Sequence, residues 1–487
     1  SAYDDCRCIL REYVQNAADQ IDIAREQNLS EEDNYAIYIQ IDPDAKRIEI
    51  EDNATGVKAN EILPVLRNVA CSQKQRETRK GFRGIGRLGG LGYCSTLTFV
   101  TSYKGENVRS ILSWDAEKMT RLIDDQNDAS SASDVVAAVT KLSSEPEEVD
   151  AHYFKVVMEN VTDDRLLYIE DIRAYLSMVA PVDINNSFMP FRNEILNYAK
   201  TNNLRVDTYD IFVNKDPIYK PYTRTLVDKN GTPVDEIKKI EFFYQEDSNG
   251  NPLYWGWYSI RKNFDCAIDP RNIAHGIRLR CKNIQLGNDT NCRRFLPGKQ
   301  DERFNDYYYG EIHTLSDQLI PDMDRNYLRV DDMRTEFEDI VKKKLYHKLK
   351  DLSKTASTYK SEYKKIKTYV DKGKEIEEKK KKSQFNSQEE YQREEENLNK
   401  LREEAEKSRA NIEKKKAQLS ADNSPLSGVI DATYNPNNLL SPAPNAIVVK
   451  EPHTNISNTN SKIACPGLSV LKRPGLDPII VPCQCVE

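Results

Sequence analysis

The chain has 487 residues, 38% of them hydrophobic and 31% charged, with a formal net charge of -7. That length accommodates two or three domains with a sizeable core, while the charged fraction reserves part of it for solvated helix or tail. The acidic balance excludes indiscriminate nucleic-acid binding by the whole chain and leaves only local basic patches. No run of eighteen apolar residues occurs and no leader precedes the first helix, so a soluble protein is expected, cytoplasmic or, in a eukaryotic cell, nuclear, without a membrane partner.

Taken in order, the pattern predicts a helix from about Cys6 to Arg25, with a 3.6-residue apolar stripe of Leu10, Tyr13, Val14, Ala17, Ile21 and Ala24. On that helix Glu12, Asn16 and Asp19 recur at i, i+4 and i+7, a polar column of two carboxylates and an amide. "YAIYIQIDPDAKRIEIEDNATG" then reads as two alternating strands around an Asp-Pro-Asp turn. Ile48, Ile50 and Asp52 share one face by the period of two, so Asp52 points inward and needs a partner there.

A helix near residues 60 to 70 precedes the basic, glycine-rich "CSQKQRETRKGFRGIGRLGGLG" and the strand "STLTFVTSY". A hairpin-like region with a polar insertion near 125 to 150 leads into the strand "HYFKVVMENV". From about residue 170 a second unit is expected, with strands in "KKIEFFYQ", "YWGWYSI", "GIRLRCKNIQLG" and "GEIHTLSDQLIPDMDRNYL".

Beyond residue 331 a heptad seam of Leu345, Leu349, Leu352, Ala356, Tyr359, Tyr363, Ile366 and Val370 predicts a coiled coil. A weaker seam follows at Tyr391, Leu398, Leu401, Ala405, Ile412 and Leu419. From Ala421 onward Asn, Pro and Ser dominate, and little fixed structure is expected. The ten cysteines show no zinc-ribbon or disulfide-framework spacing. Cys6 and Cys8 point to different helix faces, Cys465, Cys483 and Cys485 read as free thiols, and Gln484 rules out a prenylation signal.

Three elements converge on a nucleotide. Asp52, followed by Asn53-Ala54-Thr55-Gly56, can accept from the exocyclic amine of adenine, and Gly56 permits close approach of a base. The run Gly84-Ile85-Gly86-Arg87-Leu88-Gly89 offers backbone N–H groups to phosphates at a helix start. It lacks the strand–turn–helix context of a dinucleotide-binding loop and the Gly-Lys-Ser/Thr ending of a Walker A loop. On the first helix, Asn16 has a neutral oxygen suited to Mg²⁺, and Glu12 one turn earlier can deprotonate a water.

Together, in this order, the three resemble the GHKL ATPases: gyrase, the HtpG-type heat-shock chaperones, histidine kinases and MutL. "EYVQNAAD" matches their E-x-x-x-N-x-x-D box, "DNATG" their D-x-G-x-G adenine box with Ala54 in place of Gly, and "GFRGIGRLG" their glycine box. The resemblance implies ATP and Mg²⁺ as cofactors, Glu12 as general base and Asn16 as metal ligand. It makes Asp52 the adenine reader and the segment from about Cys71 to Gly89 a lid over ATP. Asp19, Gly56, Lys74, Gly84, Gly86, Arg87 and Gly89 complete the nucleotide contacts. The family's later Gly-Thr before a strand is not evident in "DAHYFKVVM".

"GEIHTLSDQLIPDMDRNYL" resembles an HtpG-type middle-domain stretch whose arginine reaches the γ-phosphate. Carried over, that residue is Arg325, with Lys282 in "RCKNIQLG" the alternative, since gyrase and MutL use a lysine. The expected fold is α+β: a Bergerat-type ATPase sandwich at 1–170, a ribosomal-protein-like α/β transducer at 171–335, a coiled coil at 336–420 and a disordered tail at 421–487. The expected function is an ATP-driven, slowly hydrolysing clamp of the HtpG chaperone kind. The alternative is a MORC-like ATPase acting on DNA in compaction or defence. A homodimer through the N-terminal domains or the coil is implied, with a client protein or DNA as the further partner.

Overall fold

The computed structural model describes residues 5–67, 86–124, 131–264, 266–322 and 325–440. The lid segment up to residue 85, with Lys74 and Gly84, lies outside the described residues, as does the chain beyond 440.

The first layer is an eight-stranded sheet: β1 (Ala36–Asp42), β2 (Arg47–Asp52), β3 (Cys94–Ser102), β4 (Val108–Asp115), β5 (Thr140–Pro146), β6 (Tyr153–Val161), β7 (Asp210–Val213) and β8 (Asp216–Pro217). Their order is β5-β4-β3-β6-β2-β1-β7-β8. Alternation builds it: Ile37, Ile39 and Ile41 of β1 pair with Asp52, Ile50 and Ile48 of β2, and all six are buried on one face. The opposite face carries charges such as Glu49, Glu51 and Lys155, the last two 2.7 Å apart.

Helix α1 (Cys8–Glu26) lies on the buried face, where Leu10, Val14, Ala17, Ala18, Ile21 and Ala24 enter a core shared with the sheet. The helices α2 (Ala116–Asp124) and α3 (Ala132–Val139) precede β5, so the polar insertion near 125 to 150 contributes a strand paired with β4 along its whole length.

The first sheet also reaches past residue 170. After α4 (Ile169–Val179) and α5 (Phe191–Thr201), β7 returns and pairs in parallel with β1, a crossover that hydropathy alone does not reveal. Ile172, Leu176 and Val179 of α4 belong to the first core while Met178 enters the next, so this helix is shared between the layers.

The second sheet has the order β13-β12-β14-β11-β10-β9. Its strands are β9 (Thr225–Val227), β10 (Pro233–Glu246), β11 (Pro252–Arg261), β12 (Gly276–Cys281), β13 (Ile284–Gln285) and β14 (Tyr309–Thr314). Both faces are covered, which is why "LYWGWYSI" is apolar at consecutive positions. Trp255 and Trp257 pack toward α5 and its neighbours; Tyr254, Tyr258 and Ile260 pack toward the C-terminal helices. Inside this domain Glu311 accepts from Arg280, Lys220, Tyr222 and His313, all buried, so a single carboxylate organises several donors.

α6 (Asp332–Val341) passes through a π-helical turn (Lys342–Tyr346) directly into α7 (His347–Lys381), and α8 (Gln388–Ala421) returns alongside it. The first seam divides its work. Leu345, Leu349 and Leu352 are part of the second-domain core, and the Tyr308 hydroxyl donates to the Leu349 carbonyl at 2.6 Å. Farther out, Tyr359 and Ile366 share a buried cluster with Ala405 and Ile412 of α8. Order continues past Ala421: Leu426 and Ile430 are buried, the latter in α9 (Val429–Thr433), and the Tyr434 ring packs 5.5 Å from that of Tyr363. Three apolar side chains closing over a helical hairpin outweigh the local Asn/Ser composition there.

Candidate functional site

α1 places four residues of one face, Tyr13, Asn16, Ala17 and Gln20, in the wall of a cavity of about 110 Å³. Their spacing of i, i+3, i+4 and i+7 is what one helical face requires. Opposite stand Ile50 and Asp52 of β2, Gly56, Val57, Val65, Leu66, Arg87, and Phe154 and Val156 of β6. The pocket is mostly apolar, with a few convergent polar groups.

Asp52 ends β2, opposite Ile37 and Phe154 in the ladder, and is 3% exposed. Its carboxyl accepts from the Ala54 amide at 3.1 Å. Burial pushes its pKa up to about 8, against the lowering by that N–H and with a further rise from Glu51. At neutral pH the group therefore offers an acceptor oxygen beside an O–H donor. That pair is complementary to an exocyclic amine next to a ring nitrogen, as on adenine.

Gly56 has φ +66°, and a Cβ there would lie 1.8 Å from the Ser102 carbonyl oxygen of β3. Glycine is thus demanded by the neighbouring strand itself, in addition to any close approach by a base. Gln20, absent from the sequence expectation, accepts from the Thr55 hydroxyl at 2.8 Å and fixes the turn that carries Gly56.

The glycine run is anchored by another residue read from sequence only as core. The Tyr13 hydroxyl donates to the Arg87 carbonyl at 3.0 Å and accepts from the Gly90 amide at 3.1 Å. The only sequence signal was a phenol in an apolar stripe, whose O–H must find partners when buried. The run, Gly86–Gly92, is a 3₁₀ helix here, and Gly89 sits half-buried within it. A Cβ on Gly86 would stand 2.9 Å from Glu12 Oε2, so this backbone is packed directly on the Glu12 carboxylate. Arg87 lines the cavity, and burial lowers its pKa.

Glu12 also meets the second domain. Arg325 Nε lies 3.1 Å from Glu12 Oε1, and both side chains are about nine-tenths buried. Arg325 has φ +52°, a left-handed conformation costly for a side chain with a Cβ. The turn holds it there. Pro321 and Leu328 pair as a bridge, the Asp322 carboxylate accepts from the amides of Asn326 and Tyr327, and the Arg325 carbonyl accepts from Gly287 N–H at 2.9 Å.

Lys282 instead occupies the two-residue turn between β12 and β13, with φ +49° followed by +62° at Asn283. It is not among the residues lining the cavity. Asp19 keeps the column of Glu12 but is fully buried, and neither Glu12 nor Asp19 is among the residues lining the cavity. At ~100° per residue, Tyr13, Asn16, Ala17 and Gln20 span ~40° to ~140° from Glu12, whereas Asp19 falls at about -20°, turned toward the interior.

Among the described residues no group of three or more His, Cys, Asp or Glu could hold a metal by itself. Asn16, half-buried in the wall, offers one neutral oxygen. That donor fits Mg²⁺ shared with phosphate oxygens and water, not a protein-built cage.

Comparison with known proteins bears on the region that carries α1 and the first strands. Residues 7–145 match the family described as histidine kinase-, DNA gyrase B-, and HSP90-like ATPase. The chaperone protein HtpG of Salinispora tropica is 33% identical over 78 residues, covering 15% of this chain and 12% of that protein's length. No helix among the described residues is long and apolar enough to cross a membrane. Residues 7–145 carry α1, β1 to β4 and most of the cavity wall, so the match to the histidine kinase-, DNA gyrase B- and HSP90-like ATPase family covers the region that builds most of the site.

Proposed function

We propose that the chain binds ATP in the cavity between α1 and β2 and hydrolyses it slowly, using the nucleotide to govern the contact between its first and second domains. The observation that carries this reading is the 3.1 Å approach of Arg325, from the second domain, to Glu12 of the first helix. In it Asp52 holds the base, and the apolar wall of Val57, Val65, Leu66 and Phe154 keeps water from it. Arg87 and the run from Gly86 face the phosphates. Asn16 would hold Mg²⁺, which when bound neutralises phosphate charge. Glu12 takes the proton of the attacking water, and Arg325 stabilises the charge on the transferring phosphoryl group.

An arginine that reaches the site from another domain ties chemistry to domain position, which is the logic of an HtpG-like, chaperone-type clamp. Dimerisation through the first domains belongs to the same reading. A second reading, a MORC-like ATPase acting on DNA, is favoured by one observation: a lysine-rich helical hairpin grows directly out of the second-domain core.

The test of the ATPase assignment is Glu12→Ala in the full chain. ATP affinity by calorimetry should persist while turnover falls about 10²–10⁴-fold, the contribution of a positioned general base. Equal turnover in variant and wild type would remove Glu12 from the chemistry. A DNA mobility shift whose affinity falls steeply with salt would move the balance to the second reading.

A further inference from the structure

Helix α1 meets the glycine run through two neighbouring side chains: Gly86 packs on Glu12, and Gly90 packs on Tyr13. A Cβ added to Gly90 would run into the Tyr13 hydroxyl oxygen and stand 3.1 Å from Leu97 Cδ1. The backbone is seated on the phenol with no room for a side chain.

Both backbone groups of Gly90 are buried and both have partners. Its N–H donates to the Tyr13 hydroxyl at 3.1 Å, while its carbonyl accepts from the Tyr93 amide at 2.9 Å and the Cys94 thiol at 3.2 Å. The end of the run is thereby tied to β3 on one side and, through Tyr13, to α1 on the other. The same hydroxyl gives its one proton to the Arg87 carbonyl at 3.0 Å, three residues earlier in the chain. A single phenol oxygen therefore closes a bracket around Leu88 and Gly89.

The two parts of the Tyr13 side chain do different work. Its ring, 3% exposed, belongs to the wall of the nucleotide cavity, whereas its oxygen is spent on the backbone of the run. Arg87, whose carbonyl is held in this way, sends its side chain into the wall of the same cavity.

We propose that Tyr13 is a positioning residue for the polyphosphate. Its hydroxyl fixes the glycine run on α1 and so aims Arg87 at the phosphates, and Gly90 is the residue that leaves room for it. The inference rests on the reading of this cavity as an ATP site. It concerns the phosphates alone, because Asp52 and the apolar wall hold the base and need only the ring of Tyr13.

The test is calorimetry on the full chain with ATP and adenosine as probes. Tyr13→Phe keeps the ring and removes the hydroxyl. ATP should bind this variant about 10-fold more weakly, the loss of two hydrogen bonds, and adenosine should bind it as it binds wild type. Gly90→Ala reaches the same contact from the other side and should show the same ATP-selective loss, which keeps the proposal testable should Tyr13→Phe fail to fold. Added to Arg87→Ala, Tyr13→Phe should bring no further loss of ATP affinity, since its effect passes through Arg87. ATP affinity equal in wild type and Tyr13→Phe would overturn the proposal and leave the ATP reading standing. Equal losses for ATP and adenosine would overturn it too, making Tyr13 part of the pocket wall only. A wild-type chain that binds neither probe would overturn both.

Discussion

Lys220 and Glu311 meet at 3.1 Å inside the second domain, each side chain only 2% exposed. Burial, with Arg280 nearby, pulls the Lys220 pKa down to about 7 despite the opposing pull of Glu311. Removing the carboxylate leaves Lys220 and Arg280 as buried cations with no counter-charge. Glu311→Gln should therefore cost about 3–5 kcal/mol in chemical denaturation. Lys220→Met, which leaves the Arg280–Glu311 pair intact, should cost far less.

The same lysine sets a pH dependence. Between about pH 7 and its unfolded pKa of ~10.4, the unfolded chain holds a proton that the folded chain has released. Wild-type stability should rise with pH through that window relative to Lys220→Met, with no difference in slope below it. Thermal melts at pH 6, 8 and 10 decide this; parallel curves throughout would show that Lys220 keeps its proton.

Asp52 has the opposite sign. Its folded pKa of about 8 stands above the unfolded ~3.9, so the folded state carries the extra proton in between. Its contribution is complete below ~3.9 and is lost as pH rises through about 8. Asp52→Asn, neutral at every pH, should lack that decline. Asp52→Ala should weaken ATP binding by about 1–3 kcal/mol, the cost of leaving a buried amine unsatisfied, with Asn losing less because its amide also presents an acceptor beside a donor. Unchanged calorimetric affinity in the Ala variant would take Asp52 out of the site.

Arg325→Ala should lower ATP turnover by up to about 10³-fold while leaving ADP affinity nearly unchanged. ADP has no γ-phosphate, so a residue directed at that group adds nothing to ADP binding. Lys282→Ala, assayed in parallel, should turn over ATP like wild type. The reverse outcome would assign the role to the hairpin turn between β12 and β13.

Two glycines separate fold from chemistry. Gly56→Ala forces a Cβ against the Ser102 carbonyl at φ +66°, and the left-handed backbone alone costs ~1–2 kcal/mol. Its melting temperature should fall. Gly86→Ala meets only the movable end of Glu12, so stability should hold while turnover drops. A fall in melting temperature for Gly86→Ala as large as that for Gly56→Ala would show that the glycine run is structural.

Periodicity was enough to find α1, the β1–β2 pair and the inward Asp52, because each rests on contacts close in sequence. It could not rank Asp19 against Gln20, since the helix turns the cavity-facing stripe only a few tens of degrees from the Glu12 column. Nor could it show that residues 210–217 complete the first sheet: a short parallel strand leaves no mark distinct from any short apolar run. The ordered stretch around Leu426, Ile430 and Tyr434 was hidden for a related reason. Composition registers Asn and Ser but not the hydrophobic cleft those three side chains close.

The unbroken passage from α6 through the π turn into α7 makes the second domain the fulcrum of a lever. The 35 residues of α7 extend ~52 Å at 1.5 Å per residue. Leu345, Leu349 and Leu352 clamp its base into the second-domain core, so the helix cannot pivot independently of that core. A rotation of the domain by ~10° would sweep the far end of α7 through ~9 Å for a rod of that length. On the proposed reading, a movement where Arg325 meets Glu12 would act at the short arm, and whatever touches the hairpin tip would meet the long one.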